Sequence, residues 1–251
     1  MDIELYLTRF NASAKEPSLN NLTELQNLHL QHIPFENLDV IRRVPIYLNL
    51  NTIFDKIVRN NRGGYCYELN GLFHALLNEL GYSAHLVAAT VLRPNGEWAK
   101  ADTHAAIIVH LDKPFLIDVG FGANTPRLPI PLSGESQVDV SATYKIRQHD
   151  SQTFDLIYKT ASDERVLYRF SNMRKELVDF HEGCVFNQIA KESTFTHTDI
   201  ITLATATGRV TLTDHTLSEH RDGDIKKSIL SDEEKKHALQ KTFKICLSEE
   251  Q

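Results

Sequence analysis

The sequence is short of the residues that staple or metallate small folds. It has three cysteines in 251 residues, Cys66, Cys184 and Cys246, and they stand too far apart for any C-x-x-C pair. Neither a zinc ribbon nor a disulfide framework is indicated, and a reducing cytoplasm is the natural setting. Twelve histidines include no H-E-x-x-H, so no metal site is expected. The net charge is −6 and no block of Lys and Arg stands out, which removes the basic footprint of a nucleic-acid binder. The longest apolar runs, around 87–92 and 105–109, are too short to cross a bilayer. The acidic start Met1-Asp2-Ile3-Glu4 lacks the basic and apolar stretches of a signal peptide. Internal repeats and low-complexity tracts are absent as well.

What is present is an ordinary globular composition, 41% hydrophobic and 24% charged, in a chain long enough for one large domain or two modest ones. The first eighty or so residues have helical spacing. Ile3, Leu5, Tyr6 and Phe10 begin one amphipathic pattern. Leu22, Leu25 and Leu28, with His29 and His32, make a second that Pro34 ends. Ile53, Phe54, Ile57 and Val58 make a short third, with a cap near Asn51. The strongest helix runs from Leu69 through Leu72, Phe73, Leu76, Leu77 and Leu80 to a stop at Gly81. Beyond it the period becomes that of strands, at 83–92, 104–111, 115–119, 144–148, 154–160 and 166–170. The stretches 126–131 and 133–142 read as a long loop. A strand pair is expected at 200–206 and 209–213, turning on Thr207-Gly208. Ser231-Asp232-Glu233-Glu234 is a capping box opening a helix with Leu239, Phe243 and Cys246 on one side. His215 and His220 fall in a polar segment without a metal-binding pattern. Helices followed by strands argue for an α+β fold and against a doubly wound parallel sheet.

The most informative segment is Arg62-Gly63-Gly64-Tyr65-Cys66-Tyr67-Glu68. It sets a cysteine after two glycines where the strongest helix begins. Helix-terminal N–H groups favour thiolate over thiol, and the glycines leave the sulfur accessible. A nucleophile of this kind needs a base. His104 opens one strand, and Asp118 interrupts the apolar strand that follows, where an unpaired carboxylate is costly. If Leu111, Asp112 and Lys113 form a three-residue loop, paired positions bring His104 and Asp118 to one face as diagonal neighbours. A two-residue loop puts them on opposite faces. Each residue also has a bland reading, His104 as a strand-edge histidine and Asp118 as a turn or cap carboxylate.

Three segments in order carry a family resemblance. Arg62-Gly63-Gly64-Tyr65-Cys66-Tyr67-Glu68-Leu69-Asn70 resembles the active-site signature of the arylamine N-acetyltransferases. Asp118-Val119-Gly120-Phe121-Gly122 and Ile33-Pro34-Phe35-Glu36-Asn37-Leu38 are similar to two further family motifs, and His104 falls where the family has its histidine. Gly208-Arg209-Val210-Thr211-Leu212 resembles a late family segment. Near the N-terminus the family has Arg-Ile-Gly-Tyr, and this chain has Arg9-Phe10-Asn11-Ala12.

The resemblance implies a helical bundle over 1–82 carrying Cys66, a central antiparallel β-barrel over 83–190 carrying His104 and Asp118, and a smaller α/β, lid-like region over 191–251. It places these on a papain-like cysteine-enzyme core. It implies a Cys66–His104–Asp118 triad, with Arg62 and Glu36 as an ion pair ordering the cysteine loop. Phe35, Val91, Phe121 and Gly122 are the implied acceptor contacts. The implied activity is ping-pong transfer of acetyl from acetyl-CoA, a substrate and not a resident cofactor, to an arylamine or hydrazine, by a cytoplasmic monomer or homodimer. Two other enzymes would use the same triad: an amide synthase acting on a larger acyl thioester, and a papain-like peptidase or transglutaminase. A non-catalytic binding descendant would have lost a triad member, and all three are present.

Overall fold

Capping side chains explain where the early helices start. In the computed structural model, which describes residues 1–247, Asp2 caps α1 (Ile3–Arg9) and Ser18 caps α2 (Leu19–His32), each side chain accepting a first-turn N–H. Asn11, standing where the resembling family has glycine, takes a φ of 59° just after α1, a conformation asparagine tolerates better than most residues. Arg9 then reaches across to donate to the His32 and Ile57 carbonyls at 2.9 and 3.1 Å. After α2 come β1 (Phe35–Glu36), α3 (Leu38–Ile41) and α4 (Leu50–Phe54), the last running into a π-helical turn at Asp55–Arg59. Asn49 caps α4, two residues before the expected Asn51.

α5 (Cys66–Glu79) is the axis of the molecule. Leu69, Leu72, Phe73, Leu76 and Leu77 are all buried along it, and Gly81, at φ +88°, follows its end. It packs on β2 (Ser83–Val91) and β3 (His104–His110). Those strands begin an antiparallel sheet completed by β4 (Pro114–Ile117), β5 (Ile130–Pro131), β6 (Gln137–Val138), β7 (Thr143–Gln148), β8 (Thr153–Lys159) and β9 (Glu164–Ser171). Its order is β5-β4-β3-β2-β9-β8-β7-β6, and β5 comes back against β7, so the eight strands nearly close into a barrel. The period of two sorts β3 between two cores. Ala105, Ile107 and Val109 pack with the helices, while Ala106 and Ile108 fill the barrel with Leu116, Ile146 and Leu156.

A 3-10 turn at Leu177–Phe180 leads into α6 (His181–Ile189). A second sheet follows from β10 (Ile200–Thr205), β11 (Gly208–Thr213), β12 (Thr216–Arg221) and β13 (Asp224–Ile229), then α7 (Asp232–Lys241). Its order is β1-β10-β11-β12-β13, so a strand from the N-terminal third forms its edge. Among the described residues no helix is long and apolar enough to cross a membrane.

Several expectations are corrected. The stretch read as one long loop contains the two-residue strands β5 and β6. The polar stretch that follows His215, and that contains His220, forms the antiparallel pair β12 and β13, which was not foreseen. The β10–β11 turn falls on Ala206-Thr207, because Gly208 is already paired with Thr205. α7 ends at Lys241, and Thr242 is its C-cap, so Phe243 and Cys246 lie beyond the helix. Phe243 is still buried with Leu239, whereas Cys246 is exposed. Helix α6 was not foreseen within 83–190, and the last residues of the expected third region, 248–251, lie outside the described ones.

β1 is what ties this second sheet to the cysteine loop. The Glu36 N–H donates to the Gly64 carbonyl at 2.9 Å, and the Gly64 N–H to the Pro34 carbonyl at 3.4 Å. A Cβ on Gly63 would lie 2.1 Å from the Pro34 carbonyl oxygen, and that backbone cannot swing aside as a side chain can. Gly63→Ala is therefore expected to destabilise the fold by about 1–3 kcal/mol, read as a lower urea midpoint with unchanged m-value.

Candidate active site

Cys66 is the first residue of α5, and Tyr65 is its N-cap. The N–H groups of Cys66 and Tyr67 have no carbonyl one turn back to receive them. Glu68 supplies one half of a capping box, its carboxylate accepting the Tyr65 N–H at 3.1 Å. The same carboxylate receives Lys56 Nζ at 2.8 Å. Lys56 also meets Asp39 at 2.8 Å, and Arg62 joins Asp39 at 2.7 Å to Glu36 at 2.9 Å. Arg62 and Glu36 are thus paired, within a larger buried cluster. Burial lifts the Glu68 carboxyl above its ordinary value. Burial acts on Asp39 in the same direction, but Lys56 and Arg62 overcome it and hold that carboxyl below the usual range.

The hairpin has the three-residue loop. Ile107 pairs with Ile117 and His110 with Pro114, leaving Leu111, Asp112 and Lys113 to turn the chain. His104 and Asp118 consequently share a face, with Nε2 to Oδ2 at 2.7 Å. Asp118 is fully buried and accepts three more hydrogen bonds: Tyr168 OH at 3.0 Å, Asn70 Nδ2 at 3.0 Å and the Gly120 N–H at 2.8 Å. Burial works against the Asp118 carboxylate, yet His104, Asn70 and Gly120 hold its pKa below the ordinary value. Burial likewise works against a charged His104, but the Asp118 charge and hydrogen bond, helped by Cys66, raise its pKa to about 10. The Cys66 sulfur lies 3.9 Å from the Thr103 carbonyl and shares the cavity wall with the His104 ring, whose basicity it helps to raise.

Cys66 and His104 open onto a cavity of about 270 Å³. Phe35, Val91 and Phe121 line it; Gly122 instead lines a smaller neighbouring cavity that also touches Phe35. Phe186 and Asn187 from α6 and Phe195 from the 3-10 turn Thr194–Thr196 also line it. The other buried thiol, Cys184, does not line this cavity. Burial raises its pKa to about 11, and Tyr65 OH lies 2.8 Å from its sulfur. No cluster of three or more potential metal ligands occurs among the described residues.

Sequence reasoning missed four contributors. Asn70 was quoted only within a motif, although its position one turn after Cys66 puts it on the same helix face. There it donates to the Ala105 carbonyl at 2.7 Å and accepts the Val119 N–H at 2.9 Å. Tyr168 and Gln26 are distant in sequence. Gln26 donates to the Asp118 and Pro126 carbonyls at 3.4 and 2.8 Å, and no local signal marked either residue. Gly120 is needed for space, because its Cβ would sit 2.8 Å from Cys66 Cα and 2.7 Å from Asn70 Nδ2.

Comparison with known proteins gives a consistent set of likenesses. Residues 18–251 match a family model described as N-acetyltransferase. An arylamine N-acetyltransferase of Mycolicibacterium smegmatis is 32% identical over 232 residues, covering 89% of this chain and 84% of the relative. An arylamine N-acetyltransferase of Bacillus cereus, whose crystal structure revealed a Cys-His-Glu catalytic triad, superposes with a TM-score of 0.92. It is 27% identical, with 98% of this chain and 100% of that one covered. The Mycobacterium marinum arylamine N-acetyltransferase in complex with CoA superposes at 0.90 and is 32% identical, covering 97% and 93%.

The ring of His104 gives a pH signature. Its folded pKa of about 10 lies above the ordinary 6.5, so it adds stability in full below pH 6.5 and loses it as pH rises to about 10. Asp118 has the opposite sign: its contribution is present above the ordinary 3.8 and lost as pH falls through its lower folded value. Of these two groups, only His104 makes stability vary between pH 6.5 and 10. Urea unfolding across that window is expected to show wild-type stability falling more steeply than that of His104→Gln.

Proposed function

The chain belongs to the arylamine N-acetyltransferase family and is an acyltransferase; from that premise we propose that it carries acetyl from acetyl-CoA to an arylamine or arylhydrazine through an acetyl-Cys66 intermediate. The observation that carries this reading is that Cys66 and the Asp118-bound His104 share the wall of one apolar cavity. The CoA complex of the Mycobacterium marinum relative supports acetyl-CoA as donor.

The Cys66 sulfur attacks the thioester carbonyl, its proton held on His104. The N–H groups of Cys66 and Tyr67, without intrahelical acceptors, face the developing oxyanion. The tetrahedral intermediate collapses by breaking the bond to the coenzyme's sulfur, which leaves with a proton from His104. The amine then enters between Phe35 and Phe121, loses its proton to the neutral ring and displaces the Cys66 sulfur. Asp118 orients the imidazole by binding Nε2, which leaves Nδ1 for the proton transfers. Kinetics are ping-pong, because one sulfur serves both halves in turn.

A cysteine at the start of a helix, packed on a sheet that carries its histidine and acid, also supports the papain-like core. The division into regions 1–82, 83–190 and 191–251 belongs to the same proposal. Three free thiols, Cys66, Cys184 and Cys246, suit a reducing compartment such as the cytoplasm.

Intact-protein mass spectrometry after mixing with acetyl-CoA tests the mechanism. Wild type is expected to gain one acetyl group that a subsequent arylamine removes, and Cys66→Ala none. An acetyl adduct that survives in Cys66→Ala would refute it. Asp118→Asn is expected to lower kcat/KM by about 10²–10⁴-fold.

A further inference from the structure

Two arginines meet between the barrel and the second sheet, and no acid pairs with either guanidinium among the described residues. Arg127, from the segment between β4 and β5, is only 5% exposed. Its guanidinium donates to the Thr205 and Gly208 carbonyls, at the two ends of the β10–β11 turn. Arg209 is half-buried on β11, opposite Ala204 and on the sheet face that also carries Thr202. Its side chain makes no hydrogen bond or ion pair among the described residues, and its Nε is buried without a partner. Both arginines line a cavity of about 20 Å³ that also touches Ser141 and that Cys66 and His104 do not line; no Asp or Glu lines it either. The acid that acts on Arg127, Asp139, gives its carboxylate to the backbone N–H groups of Arg127, Ser141 and Ala142 at 2.9, 2.6 and 3.1 Å. Across the next strand pair His220 stands opposite Arg209 and brings no negative charge. Burial lowers the pKa of both guanidiniums, and the Arg209 charge lowers that of Arg127 further.

Two like charges in one recess repel each other more strongly than they do in water, and backbone carbonyls offset them only with partial charge. Each guanidinium carries five donors, so Arg127 has some left after its two carbonyls and Arg209 has its whole fork. We propose that Arg127 and Arg209 form a binding site for a small inorganic anion of chloride's size, which fastens the 122–142 segment of the barrel to the second sheet. The cavity sets the size of the ligand, because about 20 Å³ is room for one water or a slightly larger ion. Phe35 borders both this cavity and the one at Cys66, so the anion site adjoins the reaction cavity without sharing a triad member. The proposal stands apart from the acetyl-transfer reading and does not depend on it.

The test follows thermal unfolding of the full chain in sodium chloride and in sodium gluconate at equal ionic strength, since gluconate is too large for the cavity. With chloride at about tenfold excess over its Kd, wild type is expected to unfold about 3–6 °C higher than in gluconate. Arg209→Met and Arg127→Met should each abolish that difference, and Arg209→Lys should keep part of it. Arg209→Met, at the half-buried position, decides alone if Arg127→Met does not fold. Chloride-35 NMR reads binding directly: wild type should broaden the line, bromide should narrow it again by competition, and Arg209→Met should leave it narrow. Equal wild-type midpoints in the two salts would overturn the proposal, showing that water serves the site as well as an anion. A chloride gain of the same size in Arg209→Met, or line broadening that persists in that variant, would overturn it too, by placing the ion elsewhere on the protein.

Discussion

A carboxylate with no exposed surface has to find its solvation inside the protein, and Asp118 finds it in four donors drawn from different parts of the chain. An unpaired charge at that depth costs several kcal/mol, so the donors are obligatory and their positions are correlated. Tyr168 comes from β9, His104 from β3, and the Gly120 N–H from the carboxylate's own turn. Asn70 comes from α5, one turn after Cys66. Holding Asn70 on Asp118 therefore also fixes the rotation and height of the helix that carries the thiol. Gly120 follows from the same geometry, since any Cβ there would collide with Cys66 and Asn70 at once.

Behind the sulfur lies a second buried electrostatic unit. Glu36, Asp39 and Glu68 supply three carboxylates, and Lys56 and Arg62 supply two cations. Arg62 and Glu68 flank the glycine turn before Cys66, while Glu36 lies on β1. The loop is thus gripped from both ends by charges, and its glycines let the backbone pass close enough for the β1 hydrogen bonds. Because β1 is also the edge of the second sheet, the same cluster joins that sheet to the cysteine. It gives the C-terminal part of the chain a physical reason to influence the site without supplying a triad member.

The parts legible in sequence were those governed by local periodicity. Alternation in 104–119 restricted the hairpin to two registers, and a three-residue loop at Leu111–Lys113 is the one that puts His104 and Asp118 together. α5 was legible from its apolar stripe and from Gly81. Tyr168 and Gln26 were not, because each meets Asp118 across long stretches of chain and looks locally like any core tyrosine or helix glutamine. β12 and β13 escaped for a different reason. Neither contains a buried residue, so no apolar alternation marks them. Their one local signal was Asp222-Gly223, where both residues adopt positive φ in a two-residue turn. Cys246 was assigned to a helix face because the 3.6-residue pattern was extended past the last helical residue, Lys241.

In the proposed reaction the histidine would serve as acid partner to a thiol and then as base toward an amine, and one event would switch it. Its basicity in the resting protein is raised by Asp118 and also by Cys66. In that proposed cycle acetylation would remove the Cys66 part, because an acylated sulfur neither carries charge nor shares a proton. The ring would then be less basic at the moment when it must be neutral to accept a proton from the amine. Release of the product would restore the sulfur and with it the raised basicity. Phe121 and Tyr168 pack on His104 at centroid distances of 5.2 and 5.0 Å, and on each other at 5.1 Å. That aromatic enclosure keeps the ring from turning as its charge changes. It also limits water around the ring, so that Asp118 remains its charged partner whatever the state of the sulfur.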